Sequence, residues 1–390
     1  MKTTIPRRLI DPRAAIASAA VLIVTLVMTL APVESPAQTP ARTRIAQATP
    51  APVQTPARTA SSTAPVIAQS TPAPSPQTTT VKPAANLAVS DKVFVDSGDT
   101  KLFVEIRGQK KNAPVALVLH EGPGNPVGIL AFKAYPGADL EKNFIVAYLH
   151  QRGVLRSPEV PAASQTLANH VRDIDSVVEY LKKRFGRDRI SIVGHSWGGV
   201  LGYLYAIQHG AKIDKLVAVT APFNAAATQF ASYEMTLQWA RDSNTQTAVD
   251  ALVRLGPPPY RTSQELLQKT LMSADAYGGI AQNLDMSKIL AAGDYTEYDP
   301  SWGDRQIEIT EAMFAETQKI NVENDVARVM TPLLLIGARN DAEVPYFSLK
   351  SGFDKWGGKK EFIVFEQSNH IVFLDEPDRF VAEVTRFLGR

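Results

Sequence analysis

The chain has 390 residues and a net charge of +2, with 41 basic against 39 acidic side chains. That balance gives no electrostatic case for a nucleic-acid partner. There is no cysteine, which excludes disulfides, thiolate metal sites and a cysteine nucleophile, and a hydrophobic fraction of 45% supports a sizeable core.

Arg7, Arg8 and Arg13 precede an uncharged apolar stretch at 14–30, with small residues at Ser35 and Ala37. Basic, apolar and small residues in that order predict that 1–37 is a secretory signal, so the body is periplasmic or secreted. At about 1.5 Å per helical residue the apolar stretch also nearly spans a bilayer. An uncleaved anchor, tethering the body to the inner membrane, is therefore the alternative. Residues 38–86 are Pro, Ala, Thr, Gln and Ser with almost no aromatics. Such a segment cannot bury enough apolar area to offset its ordering entropy and reads as a disordered linker.

From 87 onward the chain reads as one large domain. Residues 93–95 and 102–106 are β-rich and flank Ser97-Gly98-Asp99, a hairpin signal. Residues 115–119 and 144–149 are short continuous apolar runs, as expected of strands buried on both faces. Over 167–185 the apolar residues Val171, Ile174, Val177, Val178 and Leu181 recur at helical spacing, and Gly186 stands at the C-cap position. Further strands follow at 190–193 and 216–219. From 222 to 326 the alternation breaks into helical patches, a cap inserted between a first core part at 87–221 and a second at 327–390. The second part predicts a strand at 333–336, a helix at 347–356, a strand at 362–365 and a helix at 379–388. Strands alternating with helices predict an α/β fold, a mainly parallel sheet with helices on both faces.

Gly194-His195-Ser196-Trp197-Gly198-Gly199 follows the strand at 190–193. Strand, tight turn and helix place Ser196 where a nucleophile can stand, and glycine at 194 and 198 avoids clashes with close backbone. A serine hydroxyl needs a base. Of six histidines, only His370 lies after the insertion, in a loop just past the strand at 362–365. The imidazole needs a carboxylate, and Asp341 ends the strand at 333–336. Asp354, inside a helix, and Asp375, at the start of the last one, rank lower. Ser196, Asp341 and His370 each end a predicted strand, in the order expected of α/β-hydrolases. An oxyanion hole would take one amide from Trp197 and one from the loop His120-Glu121-Gly122-Pro123-Gly124, at Gly122. No P-loop or dinucleotide fingerprint is present, and no metal or cofactor is expected.

Taken together, His120-Glu121-Gly122-Pro123-Gly124, Gln151-Arg152-Gly153, the Gly194–Gly199 motif, Asp341 and His370 resemble the α/β-hydrolase superfamily, and within it the proline iminopeptidase group of serine peptidases. That group carries H-G-G-P-G, D-Q-R-G and G-x-S-W-G-G. The resemblance implies Ser196 as nucleophile, Asp341 as acid, His370 as base, and Gly122 and Trp197 as oxyanion donors. Two positions depart: Glu121 replaces the first glycine and His150 replaces the aspartate. Glu121 would either repel the oxyanion or brace the loop by pairing with Arg152 or His150; His120, Glu121, His150 and Arg152 are thus site-supporting candidates. In the peptidase group, cap carboxylates bind the substrate's amino terminus; Glu234, Asp275 and Glu297 are the residues to weigh here. Trp239, Phe230, Tyr233 and Tyr260 are candidates for an acyl pocket.

The expected activity is cofactor-free hydrolysis of a peptide or amide bond in a small molecule or short peptide, aminopeptidase-like, through an acyl-serine. The rivals are a carboxylic ester hydrolase on the same triad, a binding protein that keeps the fold without turnover, and a cofactor-free lyase or oxidase on the same scaffold.

Overall fold

A hairpin opens the folded part: β1 (Val89–Ser97) and β2 (Thr100–Gly108) pair antiparallel around Gly98, whose φ of 64° suits a residue without a Cβ. The computed structural model describes residues 87–389. The proposed leader and linker, 1–86, lie outside the described residues. The hairpin exceeds the expected 93–95 and 102–106 because β1 is an edge strand. Its exposed alternate positions, Ser90, Lys92 and Phe94, dilute the apolar signal.

Inside the sheet run β3 (Val115–Leu119), β4 (Ile145–Leu149), β5 (Ile190–His195), β6 (Ile213–Val219), β7 (Leu333–Ala338) and β8 (Lys360–Phe365). The order is β1-β2-β4-β3-β5-β6-β7-β8. Only the β1–β2 and β2–β4 pairs are antiparallel. Every residue of β3, β4, β5 and β7 is buried, which is why these strands read as unbroken apolar runs. The chain steps from β3 to β4 on one side and then to β5 on the other. Reactive groups collect at such a reversal, at the carboxyl ends of the strands.

The helix α1 (Leu167–Phe185) matches its spacing. Thr166 caps it by accepting from the Asn169 amide at 3.2 Å, and Gly186 ends it with φ of 61°. With α2 (Trp197–His209) it covers one face of the sheet, while Phe380, Val384, Phe387 and Leu388 of the last helix pack with the short helix Val127–Phe132 in the core of the other. The stretch between β6 and β7 is helical: α3 (Ala225–Asp242), α4 (Gln246–Leu255), α5 (Ser263–Ala274), α6 (Met286–Ala292) and α7 (Ser301–Thr317). Tyr233, Leu237, Ala240 and Leu252 give it a small core of its own. The helix expected at 347–356 begins as a 3-10 turn, Tyr346–Leu349, before Lys350–Lys355. Both the Ser348 amide and its hydroxyl bond Pro345 O at 2.8 Å, which winds that first turn tight. No helix among the described residues is long and apolar enough to cross a membrane.

Candidate active site

Ser196 joins β5 to α2 with φ of 50° and ψ of −118°, a conformation rare outside glycine. Two contacts enforce it. A Cβ on Gly194 would run into the Gly198 carbonyl, and one on Gly198 into the Leu119 carbonyl. The Ser196 amide is spent on Val219 O at 2.8 Å, and its carbonyl accepts from Gly199 and Val200. Its side chain stays partly exposed at the end of β5. Trp197 opens α2, so its amide has no intrahelical acceptor. Gly122 has φ of 147°, and a Cβ there would approach the Gly124 amide to 2.6 Å. Neither amide makes a backbone hydrogen bond among the described residues.

Asp341 and His370 meet. Asp341 follows β7, is buried, and takes the amides of Glu343 and Val344 on Oδ1, both at 2.9 Å. Its Oδ2 lies 2.8 Å from His370 Nδ1, a ring carried on the loop after β8. Burial pushes the Asp341 carboxyl up, but His370 and the two amides hold it below its ordinary value. Burial pulls the His370 imidazole down, yet Asp341, Glu343 and Glu121 lift it to about 10. The structure thus brings this carboxylate and this imidazole together. Ser196 shares their rim: it follows His195, whose ring is 5.0 Å from that of His370. Its hydroxyl makes no hydrogen bond to His370 among the described residues, and such contacts often tighten only with substrate bound.

Sequence reasoning passed over Glu343. Its Oε2 is 3.7 Å from His370 Nε2, the ring edge opposite Asp341. No hydrogen-bond donor reaches this mostly buried carboxylate among the described residues, and burial pushes it up. The buried Lys269 of α5 feels the same acids; burial pulls it down to about 8 against the attraction of Glu343 and Asp341. Lys269 Nζ donates to Ser232 Oγ, which donates to Ala342 O, tying the inserted helices to the loop that carries Asp341. Ser273, Ala274, Gly279 and Ile280 line the same cleft as Glu343 and His370. Of the aromatics weighed for an acyl pocket, Tyr233 and Tyr260 are buried, Phe230 is exposed, and Trp239 packs against the small core of the inserted helices with its ring 6.3 Å from that of Tyr277. Glu234, Asp275 and Glu297 are exposed. Position alone held a signal for Glu343, two residues past Asp341 at the same strand end.

The supporting residues divide. His120 Nδ1 donates to Glu121 O at 2.7 Å, and Nε2 accepts from the Gln151 amide at 3.3 Å. This is the neutral ring, and burial pulls it down to about 4. The Gln151 side chain bonds the His120 carbonyl at 2.8 Å and the Trp197 indole at 3.0 Å, bridging the two loops that carry the oxyanion candidates. Glu121 does not pair with Arg152 or His150. Arg152 is fully buried on Asp173 and Asp99. His150 turns to the Phe103 ring and accepts from the Arg156 amide at 3.2 Å. Glu121 Oε2 instead lies 3.0 Å from Nδ1 of His195, the inner residue of the serine motif. Glu121, His195 and His370 are also the one group of three potential metal donors among the described residues, their atoms within 4.8 Å of one another. A metal there would compete with contacts these side chains already make.

Residues 118–377 match the family model of the alpha/beta hydrolase fold. A probable aminopeptidase of Bacillus subtilis is 22% identical over 299 residues, covering 74% of this chain and 93% of the relative. A proline iminopeptidase of Levilactobacillus brevis is 25% identical over 282 residues, covering 70% and 87%. The solved proline iminopeptidase of Mycobacterium smegmatis has the same fold, with a TM-score of 0.59 at 18% identity over 77% of this chain and 98% of its own. With a strand order that turns at a G-x-S-x-G elbow and a family model spanning most of its length, the chain belongs to the α/β-hydrolase family, a hydrolase close to the proline iminopeptidases.

Proposed function

We propose that the protein is an exported serine hydrolase that cleaves an amide bond after a free-amine acyl group, through an acyl-Ser196 intermediate. The observation that carries this reading is the 2.8 Å contact between Asp341 and His370 at the rim where the elbow presents Ser196. His370 takes the hydroxyl proton as Ser196 Oγ attacks the carbonyl carbon. Asp341 fixes the Nδ1–H tautomer and balances the imidazolium. The Gly122 and Trp197 amides receive the oxyanion. Collapse expels the amine, which leaves with the proton from His370. Water, activated by the same ring, then releases the acid and restores Ser196.

Glu343 favours an amine-bearing substrate. A substrate ammonium sits two bonds from the scissile carbonyl and so falls close to the base, where this carboxylate lacks a donor. An ammonium there would offset one of the charges that keep His370 protonated. An ester hydrolase needs no such counter-charge. The deciding experiment sets aminoacyl arylamides beside short and long acyl esters, with Ser196→Ala as control. Turnover of the arylamides, lost in Ser196→Ala, supports the reading. Turnover of esters alone favours the ester rival. Absence of Ser196-dependent fluorophosphonate labelling on folded protein favours a binding protein. Export rests on the composition of 1–37; mass spectrometry of the mature chain should find Gln38 as its first residue if the leader is cleaved.

A further inference from the structure

Glu121 is a buried acid without a part in that chemistry. It is 6% exposed and lies over Gly128, where a Cβ would come within 2.7 Å of its Cγ. Its Oε1 accepts from Asn125 Nδ2 at 2.8 Å. Its Oε2 faces His195 Nδ1 at 3.0 Å, an ion-pair approach, not an aligned hydrogen bond. The other ring nitrogen of His195, Nε2, is 3.1 Å from the carbonyl oxygen of His370. A carbonyl only accepts, so Nε2 donates. Thr220 Oγ1 donates to the same carbonyl at 3.2 Å, and the Thr220 amide is pinned to Ile336 O at 2.7 Å.

We propose that Glu121 and His195 are positioning residues for His370: a second carboxylate–imidazole pair, set beneath the first, that fixes the backbone of the base. Asp341 orients the ring from Nδ1, and the loop after β8 is tied on either side of His370 by the Asn369 amide to Asp375 and the Ile371 amide to Ile280 O, but neither contact holds the His370 carbonyl. His195, the last residue of β5, and Thr220, just past β6, hold the His370 carbonyl from two buried strand ends. Glu121 acts one contact further back by fixing the ring of His195. Its pairing also places a carboxylate in the oxyanion loop without leaving it unpartnered. Loss of such placement is costly, since about 1 Å of misplacement can lower a rate roughly 100-fold.

This inference rests on His370 being the base. The test uses the full-length protein and an uncharged aryl ester, with active sites counted by fluorophosphonate so that misfolded protein is not scored. His195→Phe keeps a ring and removes both nitrogens; Glu121→Gln keeps shape and removes charge. His195→Phe should lower kcat per labelled site about 10- to 100-fold with KM held within about threefold. Glu121→Gln should lower it about tenfold, and the double variant should be no worse than His195→Phe alone. The titratable groups facing or near the His370 ring are Asp341, Glu343, Glu121, His195 and, beyond Glu343, Lys269. Removing the Glu121 charge should therefore move the acid limb of kcat to lower pH. A brace without a positioning role would lower thermal stability alone. Unchanged kcat per labelled site and an unmoved limb in Glu121→Gln would overturn the proposal, even if His195→Phe fails to fold. Turnover surviving in both Ser196→Ala and His370→Ala would instead overturn the parent reading, and this proposal with it.

Discussion

At the residue scale the site is dominated by one imidazole among three carboxylates. Asp341 lies against Nδ1, Glu343 3.7 Å from Nε2, and Glu121 acts from behind His195. Burial would favour the neutral ring, but the acids win and lift it to about 10. The working form of a general base is the unprotonated one, so activity should rise with pH along a limb well above the ordinary histidine range near 6.5. Glu343→Gln removes one supporter of the charged ring. Its limb should then fall by about one pH unit or more. Asp275→Asn, an exposed acid of the inserted helices, should leave the limb where it was. The measurement is kcat against pH with an uncharged acyl ester, so that substrate ionisation does not intrude. A limb unmoved in Glu343→Gln would show that the base does not feel this carboxylate.

At the scale of elements, the strand–turn–helix at Ser196 has little tolerance, because α2 must start where β3 and β5 end. Gly198→Ala would press a methyl group into the Leu119 carbonyl, which belongs to a strand and cannot yield. It should cost about 3 kcal/mol or more and abolish Ser196-dependent labelling, whereas Gly186→Ala, with open space around its Cβ, should cost only about 1 kcal/mol and leave labelling intact. Urea unfolding and labelling of both variants check this. These elements were legible because their physics is local. The runs at 115–119 and 333–336 are apolar because both faces of the sheet are covered, and α1 carries its spacing, cap and stop in consecutive residues. Asp341 and His370 were legible as polar residues at strand ends. The partners of Glu121 were not. Whether its carboxylate reaches Arg152, His150 or His195 depends on rotamers fixed by packing among three separate loops, and the empty surface of Gly128 turns it toward His195. Glu343 was hidden for the same reason: nothing in Asp341-Ala342-Glu343 says which side chain curls back to the imidazole.

Across the whole molecule, one buried cation joins a turn, a loop and a helix that lie far apart along the chain. Arg152, in the loop after β4, sends Nε and Nη2 to Asp173 of α1 at 2.7 and 2.8 Å and reaches Asp99 in the β1–β2 turn and the Ser164 carbonyl. Ser97 of the hairpin donates to the same Asp173 at 2.6 Å. Hairpin, α1 and the loop beside the oxyanion candidates thus share one guanidinium that is fully out of solvent. The charge has been desolvated, so its partners mainly prevent a penalty and add little net attraction. Arg152→Met alone strands the Asp173 carboxylate and should cost about 3–5 kcal/mol. Arg152→Met with Asp173→Leu removes both charges and should recover much of that loss. The exposed Lys350–Asp354 pair supplies the contrast: Asp354→Asn should stay within about 1 kcal/mol of the parent. Urea unfolding of the four proteins measures all three differences. If the double variant is as unstable as Arg152→Met, the guanidinium contributes shape and hydrogen bonds to the Ser164 carbonyl that methionine cannot replace, and charge balance is not what holds these parts together.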